Sequence, residues 1–156
     1  MTQGIEQLVR DKQGRQYQMK GDYDNESGLL VVKLQYQNQE VGRLQCLLEY
    51  PPGEMKIGDL IISDDHDDVV EIPRWWKVFK LKPRNYRNKG LGTHLLKFAL
   101  DFARQKGMRR IYGCLTHEDI ATTPGLINWY KKHGFELEPP APKDPSTTAH
   151  RISQQL

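Results

Sequence analysis

WWKVFKLKPRNYRNKGLGTHLLKFALDF, residues Trp75 to Phe102, decides how this chain is read. An alternating run of aromatic and β-branched residues stops at Pro83, as an extended strand does before a turn. A basic turn with Gly90 and Gly92 follows. Leu91, Leu95, Leu96, Ala99, Phe102 and Ala103 then recur at helical spacing, so a helix with one apolar face is predicted, ending near Lys106-Gly107. Strand, glycine turn and helix start in that order have a physical use. The first turn of a helix presents unpaired N–H groups and the positive end of its dipole. Glycines let an anion come close to that backbone. Seven basic residues and no acidic one lie between Ile72 and Lys89, which suits a ligand carrying several phosphate charges.

Working outward, residues 109–115 (Arg109-Arg110-Ile111-Tyr112-Gly113-Cys114-Leu115) read as a strand. Strand, crossover helix, strand predicts a right-handed parallel unit, with the strand ending near Leu81 beside the one ending near Leu115. A second helix is expected after Thr122-Thr123, with Thr123 as N-cap and Pro124 in the first helical position. It runs through Trp129-Tyr130-Lys131-Lys132 and stops at His133-Gly134. Phe135 to Glu138 begins another strand, and residues 147–154 read as a last one.

Two motifs now stand in order. Arg87-x-x-Gly90-x-Gly92 resembles the Gln/Arg-x-x-Gly-x-Gly/Ala signature of the GNAT N-acetyltransferase superfamily. Trp129-Tyr130-Lys131-Lys132-His133-Gly134-Phe135 is similar to its Phe-Tyr-x-x-x-Gly-Phe signature. The resemblance covers roughly residues 29–138. It implies an α/β fold with a mixed, largely antiparallel sheet and a central parallel pair that splays. It also implies acetyl-CoA as co-substrate, with acetyl transfer to a primary amine by direct attack. In that family the helix tyrosine lies by the coenzyme sulfur and can protonate the departing thiolate. Tyr130 matches it, the other reading being an interior aromatic with a bonded hydroxyl. By the same resemblance Phe79, Lys80 and Leu81 would bond the pantetheine arm. The amides of Asn88, Lys89, Gly90, Leu91, Gly92 and Thr93 would hold the pyrophosphate, with Arg87 and Lys89 in charge contact.

The sequence departs from the family in three places. The stretch before Leu29 is too short and too polar for the usual early helix pair. The acceptor side is therefore open, covered by a second copy of the chain, or shaped for a large substrate such as a peptide. Residues 75–82 hold no carboxylate where many members place a glutamate base, which leaves Glu118 or His117 as replacements, or the 64–71 loop. The sequence His117-Glu118-Asp119 reads equally well as a plain polar loop. Thr123 stands where an asparagine is common. A non-catalytic CoA-binding module on the same fold is the rival reading.

The first half reads as strands. Residues 1–14 are expected to be a frayed arm, and 15–156 one domain with its signature-bearing core at 75–138. Residues 15–20 read as a short edge strand, and 22–28 as a loop. Residues 29–36, 41–50 and 55–63 read as a meander. Residues 64–71 are acidic, and read as a solvated loop, a hard-cation site or a lure for a cationic amine. No calcium-loop pattern is present and no metal is expected. A net charge of +3, segregated into acidic and basic blocks, argues against a nucleic-acid partner. No run approaches the roughly 18 apolar residues a membrane span needs. Cys46 and Cys114 have no metal-type spacing and read as small hydrophobes in a reducing compartment, the cytoplasm.

Overall fold

The computed structural model describes residues 2–62 and 90–156, with side chains from Gly4 onward. Among these residues eight strands form one sheet in the order β1-β2-β3-β4-β5-β6-β8-β7. They are β1 (Thr2–Arg10), β2 (Gln16–Asp24), β3 (Leu29–Tyr36), β4 (Gln39–Glu49), β5 (Glu54–Ile62), β6 (Arg110–Thr116), β7 (Glu136–Glu138) and β8 (Thr148–Gln155). Every pairing is antiparallel except β5 with β6. Three helices complete the described residues: α1 (Leu91–Gln105), α2 (His117–Thr122) and α3 (Leu126–Lys132).

The sheet forms because its strands alternate. In β3 and β4, Leu30, Val32, Leu34, Leu44, Cys46 and Leu48 turn inward, while Lys33, Arg43 and Gln45 turn out. Helix α1 covers that inner face with Leu91, Leu95, Leu96, Ala99, Phe102 and Ala103, the positions its spacing predicted. Leu95 and Leu96 are fully buried, each contributing about 1.5–3 kcal/mol by leaving water. Lys106 caps the helix, and Gly107 follows at φ +71°. Both cysteines are free, Cys46 buried and Cys114 partly so.

Three expectations change. Residues 2–10 are not a frayed arm but β1, paired with β2 along its whole length. Its sequence is polar because backbone pairing holds it, with Val9 its one fully buried apolar side chain. Residues 16–24 are not a short edge strand but lie between β1 and β3. Gly21 makes room for a ring: a Cβ there would stand 3.0 Å from Phe98 Cζ. Among the described residues the parallel neighbour of β6 is β5, and β8 takes its other edge; the expected neighbour was the stretch ending at Leu81. That stretch lies outside the described residues, as do the acidic loop 64–71 and Phe79, Lys80, Leu81, Arg87, Asn88 and Lys89. Finally, His117-Glu118-Asp119 is not a loop but the first half of α2. Thr116 and Asp119 close the helix start with reciprocal bonds of 3.0 and 2.9 Å. The missing early helix pair is as expected: β1 and β2 occupy the chain before Leu29.

The segment between β7 and β8 is fastened by a buried ion pair, Arg151 to Asp144 at 3.0 Å. Asp144 also accepts the Ala141 N–H at 2.8 Å. Burial alone would push this carboxyl up, but the Ala141 bond and the Arg151 charge outweigh it and hold it below the usual range. Replacing Arg151 by Met leaves that carboxylate buried and unpaired, and should cost about 3–5 kcal/mol in urea unfolding. The pair's contribution is complete above the ordinary carboxylate value near 3.9. It is lost as pH falls through the lower folded value, so an acid titration of the wild type should show the loss and Arg151→Met should not.

Candidate active site

The site begins where two strands part. Parallel pairing of β5 with β6 runs from Glu54↔Arg110 to Ile57↔Gly113 and goes no further. At that point β5 also slips against β4: Cys46 faces Ile57 while Gln45 faces Asp59, leaving Gly58 as the extra residue of a bulge. A bulge bends its strand and re-aims the residues beyond it. Gly58 and Asp59 are exposed, and Leu60 is half-buried. Beyond the fork, β5 and β6 face each other across a cleft of about 650 Å³. The edge of β5 that faces β6 there is unpaired among the described residues.

The start of α1 closes one end of this cleft with Gly90, Leu91, Gly92 and Thr93. Gly90 sits at φ +83° as the N-cap, and no side chain caps the first turn. No acidic residue lies in that turn, so its N–H groups and the helix dipole face the cleft uncompensated. Gly92 has ordinary backbone angles; a Cβ there would lie 3.5 Å from Trp129 Cζ2. The two glycines thus do different work, one allowing a left-handed turn and the other leaving room beside an indole.

Tyr130 lines the cleft from α3 and is 5% exposed. Trp129 and Phe135 hold its ring edge-to-face, with centroids 4.9 and 5.4 Å away. Its hydroxyl makes no hydrogen bond among the described residues, unlike a merely structural tyrosine. Burial pushes the phenol above its ordinary value of 10, and Cys46 and Asp119 add to the rise. It is therefore protonated at neutral pH.

The other expected residues are placed unevenly. Glu118 lines the cleft, and His117 is exposed and does not. Thr123 lines it too, but not as a helix N-cap. It ends α2 by donating its N–H to Asp119 O at 3.0 Å, and α3 starts from Gly125 at φ +81°. Pro124 lies in the connecting turn. Among the lining residues not anticipated are Asp59 on β5 and Lys12 between β1 and β2. The adjacent Gly58-Asp59 inside an apolar strand was a readable sign of a bulge. Lys12 fell within the supposed arm and gave no signal.

The frame so defined is a mixed sheet whose one parallel pair among the described residues forks over an uncapped helix mouth, which is the GNAT fold. Residues 81–135 match the family model described as the acetyltransferase (GNAT) family. That match spans about a third of the chain, and the fold around it is the one this family has. Among solved structures the chain resembles the GNAT domain of S. lividans PAT, with TM-score 0.66, 10% identity and 97% of each chain covered. It also resembles the PaiA N-acetyltransferase of Thermoplasma acidophilum, solved in complex with coenzyme A (TM-score 0.57, 13% identity). That match covers 83% of this chain and 62% of the other. A GNAT family acetyltransferase from Elizabethkingia anophelis with acetyl-CoA bound gives TM-score 0.54 at 14% identity, covering 83% and 77%. No curated protein sequence matches the chain. Among the described residues no helix is long and apolar enough to cross a membrane, and no three His, Cys, Asp or Glu side chains cluster as a metal site.

Gly90→Ala should destabilise the fold by about 1–2 kcal/mol, the cost of a Cβ in the left-handed region. Gly92→Ala should unfold within about 0.5 kcal/mol of the wild type, its Cβ meeting only ordinary contacts. Thermal melts of the two variants check the difference.

Proposed function

We propose that this protein transfers an acetyl group from acetyl-CoA to a primary amine. The observation that carries this reading is the fork of β5 from β6, which opens onto an uncapped helix mouth beside Tyr130. A coenzyme diphosphate suits the first-turn amides of α1 from Gly90 to Thr93. Asn88 and Lys89, with Arg87 for charge, extend that seat by resemblance. The resemblance gave the pantetheine contacts to Phe79, Lys80 and Leu81. The described geometry favours the free edge of β5 at Gly58, Asp59 and Leu60, because that strand is the one beside β6. A pantetheine amide would add there as a strand adds to a sheet edge.

The thioester carbonyl would then lie near the bulge, where backbone N–H groups no longer pair with β6. Such groups stabilise an oxygen that gains charge as the amine attacks. The amine nitrogen forms a bond to the acetyl carbon, the C–S bond breaks, and the electron pair leaves on sulfur. Tyr130 donates to that sulfur. A free thiol titrates near 8.5, well below this buried phenol, so a hydrogen bond to the thiolate precedes any full proton transfer. Asp59, on the strand beside β6 and lining the cleft, is the carboxylate we assign to take the amine proton. Glu118 is the second choice, and His117 is set aside because it lies off the cleft. Thr123 serves as a wall of the coenzyme channel. The acceptor is a small amine or a peptide amine.

The test is acetyl-CoA-dependent thiol release across a panel of small amines and peptides. Tyr130→Phe should lower kcat by roughly 10²-fold while calorimetry shows unchanged CoA affinity. Asp59→Asn should lower kcat/KM at neutral pH, with the loss shrinking as pH rises and more of the amine is already deprotonated. CoA binding without turnover on any acceptor would make the chain a binding module instead. Absence of CoA binding by folded protein would end the proposal.

A further inference from the structure

We infer that Lys12, carried on the β1–β2 turn, is a coenzyme-binding residue that adds its ammonium to the helix amides in gripping the diphosphate. This rests on the coenzyme reading above and goes beyond the two sequence signatures, neither of which includes this part of the chain.

The turn is built to hold one position. Asp11 is 7% exposed and accepts from the N–H groups of Gln13 and Arg15, each at 2.9 Å, and from the Tyr17 hydroxyl at 2.9 Å. Its own N–H donates to Arg15 O at 3.0 Å, and the Gly14 N–H returns to Asp11 O at 3.0 Å. Burial opposes the charge on Asp11, but the Arg15, Tyr17 and Gln13 bonds more than offset it and hold its carboxyl below the ordinary value. A second tie runs to α1 itself, where His94 Nε2 meets Arg10 O at 2.7 Å. The turn is thereby fixed to the first turns of the helix that bears the phosphate seat.

Lys12 comes directly after Asp11 and lines the same cleft as Gly90, Gly92 and Thr93. Its stem lies along Gly90: a Cβ on that glycine would stand 3.5 Å from both Cγ and Cε of Lys12. Its ammonium makes no ion pair among the described residues. A solvated lysine normally extends freely, at a large cost in side-chain freedom if held. Here the stem rests on the helix mouth and the charge is left for a ligand. A diphosphate seated on the amides of α1 has oxygens directed away from them, and a mobile point charge is suited to meet those.

The test uses the full chain and isothermal titration with CoA. Lys12→Met keeps the stem and removes the charge. It should weaken CoA about tenfold, as expected for one charged hydrogen bond, with the thermal midpoint unchanged. Lys12→Arg should recover most of the affinity. The plot of log Kd against log salt should be shallower for Lys12→Met than for wild type. Dephospho-CoA, which keeps the diphosphate and lacks the 3′-phosphate, should show the same loss. If that loss vanishes with dephospho-CoA, the assignment to the diphosphate is overturned. Equal CoA affinity of wild type and Lys12→Met would overturn the role of Lys12 alone. A wild type that gives no heat with CoA would instead overturn the coenzyme reading beneath it.

Discussion

The structure depends on a strand that stops pairing. Two parallel strands joined to their ends would close the sheet and leave no room between β5 and β6. The extra residue at Gly58 turns β5 away from β6 directly after Ile57↔Gly113. The chemistry of the cleft arises from that parting. It frees a strip of backbone donors and acceptors on β5, exposes Asp59, and gives the mouth of α1 an opening to face. The core on the other side of the fork is closed, so the opening does not spread. Met55 and Ile111 are fully buried just before it, and Leu91 and Leu95 pack the helix above.

The absence of early helices has a structural answer within the chain. A two-stranded hairpin, β1 with β2, extends the sheet where helices would otherwise stand. Its far end reaches the start of α1 through Arg10 and His94. Residues more than eighty positions apart thus meet at the start of α1, and the polar first strand acquires a tie that its composition does not advertise. Backbone pairing is indifferent to side-chain polarity, which is why such a strand can be polar and still regular.

Local pattern made part of this molecule legible in the sequence. Helix α1 was readable from its apolar spacing and from Gly90 and Gly92, and the stops at Gly107 and Gly134 from their glycines. Tyr130 was found because its motif is local. Choosing the neighbour of β6 was not a local matter. Residues 54–62 and 75–82 are both apolar alternating runs ahead of α1, and nothing in either ranks it as the parallel partner. Asp59, on β5, was accordingly not among the carboxylates that the sequence put forward. Thr123-Pro124 satisfied every local rule for a helix start. The positive φ of Gly125 moved that start two residues on, and the Asp119 carbonyl claimed the Thr123 amide. Lys12 depended wholly on tertiary placement.

One feature far from the cleft bears on it. The short strand β7 has a single neighbour, β8, which in turn separates it from β6. Its Glu138 is shared between Arg110 at 2.9 Å and Ser153 at 2.6 Å. Immediately before β7 stands Phe135, whose ring braces Tyr130. Opening of the outermost strand is therefore not an innocent edge fluctuation. Each excursion slackens the brace behind the phenol, so exchange of the β7 amides with solvent deuterium reports on the steadiness of the Tyr130 ring.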